Sequence, residues 1–506
     1  MIRVPTFVFD PLLEAHAALH RALYRKTVFS LYEGEDHSNE SLLMQAFAQR
    51  PSLELLEKLW KFGRYLLIAS SDKTGCPCSL LGLWHGDYRA LWAFNMLNEN
   101  MQMTYWAARS GNLTDLEGCL FDYYDSMMDD FRENARKIFG CRGVFVPAVT
   151  TPGVGTIQVI SRHILNWTAG AAWLAQHYYD HYLYTGDEEF LKKRALPFMR
   201  EAAAFYLDFF TIGADGYYVS APSVSPENSP ANHMDLSRGY YPEVTINATM
   251  DFACAKELFT NLAACCARFS LESEERIYRQ ALTHIPPYQK NETGAVREWM
   301  HAFYQDNDNH RHQSHLYPLF PGREITPEDS RRPMFEQAVF NRLKIGISAQ
   351  TSWSLVHMAH VWARLRRGAD ASVCLEHLMR CFVMNNLFTV HNDWRNMGIG
   401  LNMPEAPFQI DANMGLVSAV NEMLVSSDQG VLRLFPALPK EWQRGSMQNL
   451  LAIGGIAVSL FWDGQCLRAR LTSPRDQTVQ VYAACHPAQT VSLKAHAAVS
   501  LGWPRD

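Results

Sequence analysis

No run of about 18 uninterrupted apolar residues occurs in this sequence, so no membrane-spanning helix is expected. No stretch gathers Lys and Arg onto one predicted face. The formal charge of -6 over 506 residues is mild, so the electrostatic footprint of a nucleic-acid binder is missing as well. Met1 to Asp10 contain a single Arg and no apolar segment ending in a small-residue cleavage site, which argues against a secretory leader and for a cytoplasmic location. The eleven cysteines are odd in number and scattered, without the spacing of a disulfide framework, and reduced thiols are expected. Cys76-Pro77-Cys78 lacks the second pair that a zinc knuckle needs, while Cys265 and Cys266 fall in an apolar helical stretch as small core residues. A Gly-rich phosphate loop, a His-Glu-x-x-His helix and a Gly-x-Ser-x-Gly elbow are also missing, which removes the common phosphoryl-transfer, zinc-peptidase and esterase chemistries. No cofactor and no metal are expected, and no solenoid-type repeat is found.

What is present is a core. With 48% hydrophobic, 12% aromatic and 19% charged residues the composition is that of a globular enzyme, long enough for several units or one large repetitive one. Residues 1–60 read as a helical lead-in, with a loop at Glu33 to Asn39. From Phe62 to Leu424 apolar residues recur three and four apart, as in Phe198, Ala202, Phe205, Tyr206 and Phe209, or Trp353, Val356, Met358, Ala359 and Trp362, the period of an amphipathic helix. Asp187 offers a helix N-cap, and Pro197 would kink or divide the helix that follows. Long polar loops interrupt the helices, notably Pro152 to Thr156 and Ser220 to His233. After Leu432-Arg433-Leu434-Phe435-Pro436 the pattern changes to short β-branched runs, Ile453 to Trp462 and Thr478 to Tyr482, which predict a small β-domain. The expected division is therefore 1–60, 61–428 and 429–506, with the middle part a series of helical hairpins.

Four polar clusters could carry chemistry. In Asn98-Glu99-Asn100, preceded by Gly82-Leu83-Trp84 and Trp92, two amides one residue apart can point the same way from an extended segment and hold a water between their carbonyl oxygens. Taken alone, the same asparagines read more readily as loop and helix caps. In Ser223-Val224-Ser225-Pro226-Glu227-Asn228 prolines clamp a loop that presents one carboxyl, Glu227. Held from water, such a group has a raised pKa and can protonate a leaving oxygen, although Pro-Glu-Asn also makes an ordinary turn. His310, His312 and His315 with Arg311 lack an acidic ligand at metal spacing, and suit hydrogen bonding to a polyol or plain packing. In Pro407-Phe408-Gln409-Ile410-Asp411, the aspartate either reacts or caps a helix starting near Leu416. His391-Asn392-Asp393 adds a further carboxylate nearby.

Taken together and in this order, these clusters resemble glycoside hydrolase family 95, the inverting α-L-fucosidases and their α-L-galactosidase relatives. The resemblance runs from Phe62-Gly63-Arg64-Tyr65 through Gly82-Leu83-Trp84, Asn98 to Trp106, Trp173 to Phe190, Ser223 to Asn228, His310 to Gly322, Thr351-Ser352-Trp353-Ser354 and Pro407 to Gly415. It implies a mainly α fold, an (α/α)6 barrel followed by a small C-terminal β-domain, acting on terminal α-L-fucosides, α-1,2-linked, with inversion. It also implies a general acid at Glu227 and a water activated by Asn98 and Asn100 with Asp411 behind them. The candidate sugar contacts are Trp84, His310, His312, His315, Trp353, Asn228 and Gln409.

The family usually carries a β-sandwich before the barrel, and this sequence begins where the linker would be. Thr104 stands where a third Asn is usual, Ala412 replaces Gly, Met414 replaces an aromatic, and Val390 to Pro404 reads as an insertion. The implied partner is an oligosaccharide or glycan, with no nucleic acid and no membrane, and no feature speaks to oligomeric state. The competing readings are an α-L-galactosidase, another glycosidase or a phosphorylase on the same barrel, and an inactive carbohydrate-binding paralogue.

Overall fold

The computed structural model describes residues 9–233, 244–403 and 408–505. Its helices fall into two kinds that follow from their sequences. Gly170–Thr185, Ser352–Arg364 and Asp411–Leu424 are buried on nearly every side, which is what a helix apolar all round requires. Glu272–Thr283, by contrast, buries only Tyr278 and Ala281 and turns a charged face to solvent. Consecutive helices pack as pairs, Thr249–Arg268 with Glu272–Thr283 and Ser352–Arg364 with Gly368–Cys381. Helix Asp411–Leu424 then packs on Leu53–Ser70, Asn100–Ser110 and Ser352–Arg364, so the end of the helical region meets its beginning and the ring closes. At this closure Gly63 is needed for close approach, since a Cβ there would lie 2.2 Å from the Asn413 carbonyl oxygen.

Local signals set the helix ends. The Ser52 hydroxyl accepts from the Leu55 amide, Thr351 and Ser354 form a capping box, and Asp187 accepts from Phe190 N at 2.9 Å. Pro197 lies where the helical run from Glu188 changes character: a π-helical turn, Leu191–Ala195, ends just before it, and helix Leu196–Phe209 carries it in its first turn. Asp411 does not precede its helix but opens it, the cap position falling to Ile410, so the expected start near Leu416 is corrected by five residues.

Beyond Leu424 two sheets stack. One has the order 28–30, 445–452, 456–462, 466–472 and 498–504; the other runs 489–493, 477–483, 431–434 and 425–428. Strand Ile456–Trp462 buries Ile456, Val458, Leu460 and Trp462 on alternate positions, the period-2 pattern of a half-covered sheet. The lead-in is helical at Phe9–Tyr24 and Asn39–Ala48 but also contains strand Val28–Ser30, which pairs with Gly445–Ala452 with Val28 opposite Gln448. All eleven cysteines are free. No helix among the described residues is long and apolar enough to cross a membrane.

The lead-in helix is tied to the ring by Arg64, which is 1% exposed and donates to the carbonyls of Tyr24 at 3.0 Å, Leu23 at 2.8 Å and Gly111 at 2.6 Å. Burial brings this guanidinium down to about 10, still charged at neutral pH. Arg64→Met would strand three carbonyls at two helix ends, and we expect a loss of about 3 kcal/mol in urea unfolding. A change below about 1 kcal/mol would show that those carbonyls find water instead.

Candidate active site

A short strand, Asn95–Met96, pairs with Val149–Thr150, and the chain then turns tightly through Asn98 and Glu99 into helix Asn100–Ser110. The two asparagines therefore do not project from one extended segment as expected. Asn98 lies in the turn and Asn100 opens the helix, so their side chains part. Asn98 Nδ2 donates to Glu227 Oε1 at 3.0 Å, and Asn100 Nδ2 donates to Asp411 Oδ2 at 2.5 Å. Between them the buried Glu99 faces His357 Nδ1 at 2.9 Å, anchoring the turn to helix Ser352–Arg364.

Glu227 sits at φ 55°, in the left-handed region that non-glycine residues seldom adopt, so its loop must be held from outside. Asp251 accepts from the Ser220 hydroxyl at 2.8 Å and the Ser223 hydroxyl at 2.6 Å. Glu298 accepts from the Ser225 hydroxyl at 2.7 Å and the Asn228 amide at 2.8 Å. Burial pushes these two carboxyls up to about 6 and about 7, against the hydrogen bonds that oppose the shift. Neither stands in a recognisable motif, and no signal in the sequence points to them.

The two candidate reacting carboxyls are driven apart. Burial raises Asp411 to about 7, with the Asn100 amide and the Ala412 N–H pulling back and Glu99 adding to the rise. Burial is the largest single influence on Glu227 too, but there Arg311, His312 and the Asn98 amide together outweigh it. Arg311 Nη2 pairs with Glu227 Oε2, His312 Nε2 stands 3.8 Å from the same oxygen, and the carboxyl is held well below its ordinary range. The expected rise of the Glu227 pKa is thus reversed by Arg311, His312 and Asn98, which lie far from it in sequence.

Glu227, Asn100, Arg311, His312, Trp353 and Gln409 line one cavity of about 350 Å³. The rest of its wall is largely apolar, Met96, Val149, Val159 and Ile164 among others, with Trp92, His163 and His391 adding aromatic and polar edges. His163 was missed for want of any motif around it. Asn98 and Asp411 reach the lining residues through the hydrogen bonds above. Other candidates lie behind this wall. His310 accepts from the His312 amide through Nδ1 at 3.1 Å, and Asn228 is held by Glu298. His315 approaches Glu298 at 3.9 Å, and Trp84 packs edge-on against Phe388 at 5.7 Å. The three imidazoles face different partners, and among the described residues no group of His, Cys, Asp or Glu is arranged to hold a metal ion. Burial keeps all three well disposed to remain neutral by lowering their pKa. Asp393 is spent on the Ile399 amide at 2.9 Å, and Pro407 lies outside the described residues.

With this geometry in hand, comparison with known proteins is decisive at the level of family. The description "Glycosyl hydrolase family 95 catalytic domain" matches residues 8–424, and "Glycoside hydrolase family 95, C-terminal domain" matches 426–500. The chain belongs to family 95. Among its relatives, the Arabidopsis thaliana protein named Alpha-L-fucosidase 2 is 32% identical over 484 residues, covering 91% of this chain and 55% of that protein. The family 95 chain spans about half the length of the curated relatives it matches.

Two solved structures share its fold. One, titled "Putative kojibiose phosphorylase from human microbiome", has a TM-score of 0.67 at 11% identity and covers 99% of this chain and 63% of its own. The other, a native α-L-rhamnosidase from Aspergillus terreus, has a TM-score of 0.54 at 11% identity and covers 89% and 49%. The fold is that of the (α/α)6 barrel enzymes, mainly helical with a C-terminal β region.

Proposed function

We propose that this family 95 chain hydrolyses terminal α-L-fucosides, α-1,2-linked, with inversion at the anomeric carbon. The observation that carries the reading is the division of labour in the turn at residues 98–100, where adjacent amides each hold a different carboxyl group at one cavity. Inversion needs such a pair, an acid on one side of the sugar and a held water on the other, with room of about 6.5 to 9.5 Å between the carboxyls. Glu227 gives its proton to the glycosidic oxygen as the bond to C1 breaks. A water attacks C1 from the opposite face and passes its proton to Asp411, which Asn100 orients. Asn98 Oδ1 is buried with no partner, an acceptor suited to a water hydrogen. The apolar wall of Met96, Val149, Val159 and Ile164 suits a sugar that carries a methyl in place of a hydroxymethyl group.

The test is release of L-fucose from a 2'-fucosylated oligosaccharide followed by proton NMR. The expected first product is the β-anomer, in phosphate-free buffer. Appearance of the α-anomer first would replace inversion by retention. Turnover only with added phosphate would make the protein a phosphorylase, and faster release of L-galactose would move the specificity.

A further inference from the structure

The carboxylate of Glu298 and the guanidinium of Arg342, in helix Arg332–Ile345, are 2% and 1% exposed and lie outside the cavity wall, yet they join the loops that build it. Three donors converge on Glu298: the Ser225 hydroxyl, the Asn228 amide, and Arg342 Nη2 at 3.0 Å. Ser225 and Asn228 flank Glu227 on either side. Arg342 continues through Nη1 to the His310 carbonyl at 2.8 Å and the Asp308 carbonyl at 3.3 Å, just before Arg311 and His312. Asn228 and Asn307 add a direct tie, with the Asn307 amide donating to Asn228 Oδ1 at 2.9 Å. A buried pair of charges rarely adds much net stability over a well-packed apolar pair, whereas losing one partner is strongly destabilising. Its recurrent use is to fix geometry.

We propose that Glu298 and Arg342 are positioning residues, a clamp that fixes the Glu227 loop and the Arg311–His312 loop against each other. In its catalytic consequence this rests on the assignment of Glu227 as proton donor, but the coupling of the two loops stands apart from it. The three groups hydrogen-bonded to the Glu298 carboxylate are all donors, with His315 Nδ1 standing off at 3.9 Å. A glutamine there would turn its own amide hydrogens against at least one of them, so even this isosteric change opens the clamp.

The test uses Glu298→Gln and Arg342→Met in the full chain, with two readouts. Hydrogen exchange read by mass spectrometry should show residues 308–312 exchanging faster in Glu298→Gln, although Glu298 bonds to none of them, and residues 223–228 exchanging faster in Arg342→Met. On an α-L-fucoside kcat should fall about 10- to 100-fold with KM within about threefold, the mark of a misplaced reacting group. Faster exchange only in each variant's directly bonded loop, or kcat within twofold of wild type, would overturn the clamp. If either variant fails to fold, Ser225→Ala removes one donor without stranding a charge, and faster exchange at 308–312 reads the same coupling. Should the wild-type protein release no fucose, the functional assignment fails while exchange still decides the clamp.

Discussion

Glu227→Gln is expected to lower kcat on an unactivated α-L-fucoside about 10³-fold while leaving the protein folded, since a positioned general acid contributes roughly 10² to 10⁴. Glutamine keeps the shape and an acceptor for Asn98 but has no proton to give. The decisive comparison is with a substrate whose leaving group needs no proton, such as an α-L-fucosyl fluoride, on which the same variant should lie within about tenfold of wild type. Equal losses on both substrates would place the acid elsewhere. Arg311 gives this prediction its mechanism. As the structure stands, the guanidinium keeps Glu227 ionised, so the donor must gain its proton when a sugar draws Arg311 away or takes up its hydrogen bonds. On the proposed mechanism the pair of carboxyls would work with a single shared proton, resting on Asp411 in the substrate-free protein and transferred in effect to Glu227 in the productive complex.

The helical ring and the change to β-structure after Leu432 were legible because they rest on period, and period is local. The polar clusters are legible as clusters for the same reason. Their geometry is not. Asn98 and Asn100 read as one water-binding pair only if the chain between them is extended. The helix starting at Asn100 separates them, and it starts there because the chain has just left the strand Asn95–Met96. The Arg311 contact spans 84 positions and the Glu298 contacts to Ser225 and Asn228 span 73 and 70, distances over which a lone charged residue carries no sign of its partner. Strand Val28–Ser30 was hidden in the same way, since three residues earn a place in a sheet only through Gly445–Ala452, some 420 positions away. What could have been inferred is that Glu227, in a loop clamped by Pro226, needs buried acceptors for Ser220, Ser223 and Ser225. Which acidic residues supply them depended on the fold.

Asp411→Asn is expected to separate activity from stability in opposite directions. Turnover should fall by about 10²- to 10³-fold, because the water loses the group that takes its proton. Yet the protein should become more stable. Burial raises Asp411 from 3.8 to about 7, so its carboxylate is disfavoured by the fold. With a folded pKa above the unfolded one, an acid releases its proton on unfolding, and stability falls as pH rises from about 4 to about 7 and stays low above that. At roughly 1.4 kcal/mol per pKa unit the penalty above pH 7 is on the order of 4 kcal/mol. Asparagine is neutral at every pH and can still accept from Asn100, while its own amide hydrogens turn toward the Ala412 N–H, a cost of roughly 1 to 3 kcal/mol that is smaller than the penalty removed. The variant should therefore unfold at a higher urea concentration than wild type at pH 8, the gap closing toward pH 4. The same titration governs the wild-type rate. Above about pH 7 the last proton leaves the pair, so kcat/KM should decline there, and a rate level to pH 9 would remove the shared proton from the mechanism. If instead the variant proves less stable than wild type at pH 8, the buried aspartate is held ionised by something other than Asn100 and Ala412, and it cannot be the group that burial has primed to accept a proton near neutrality.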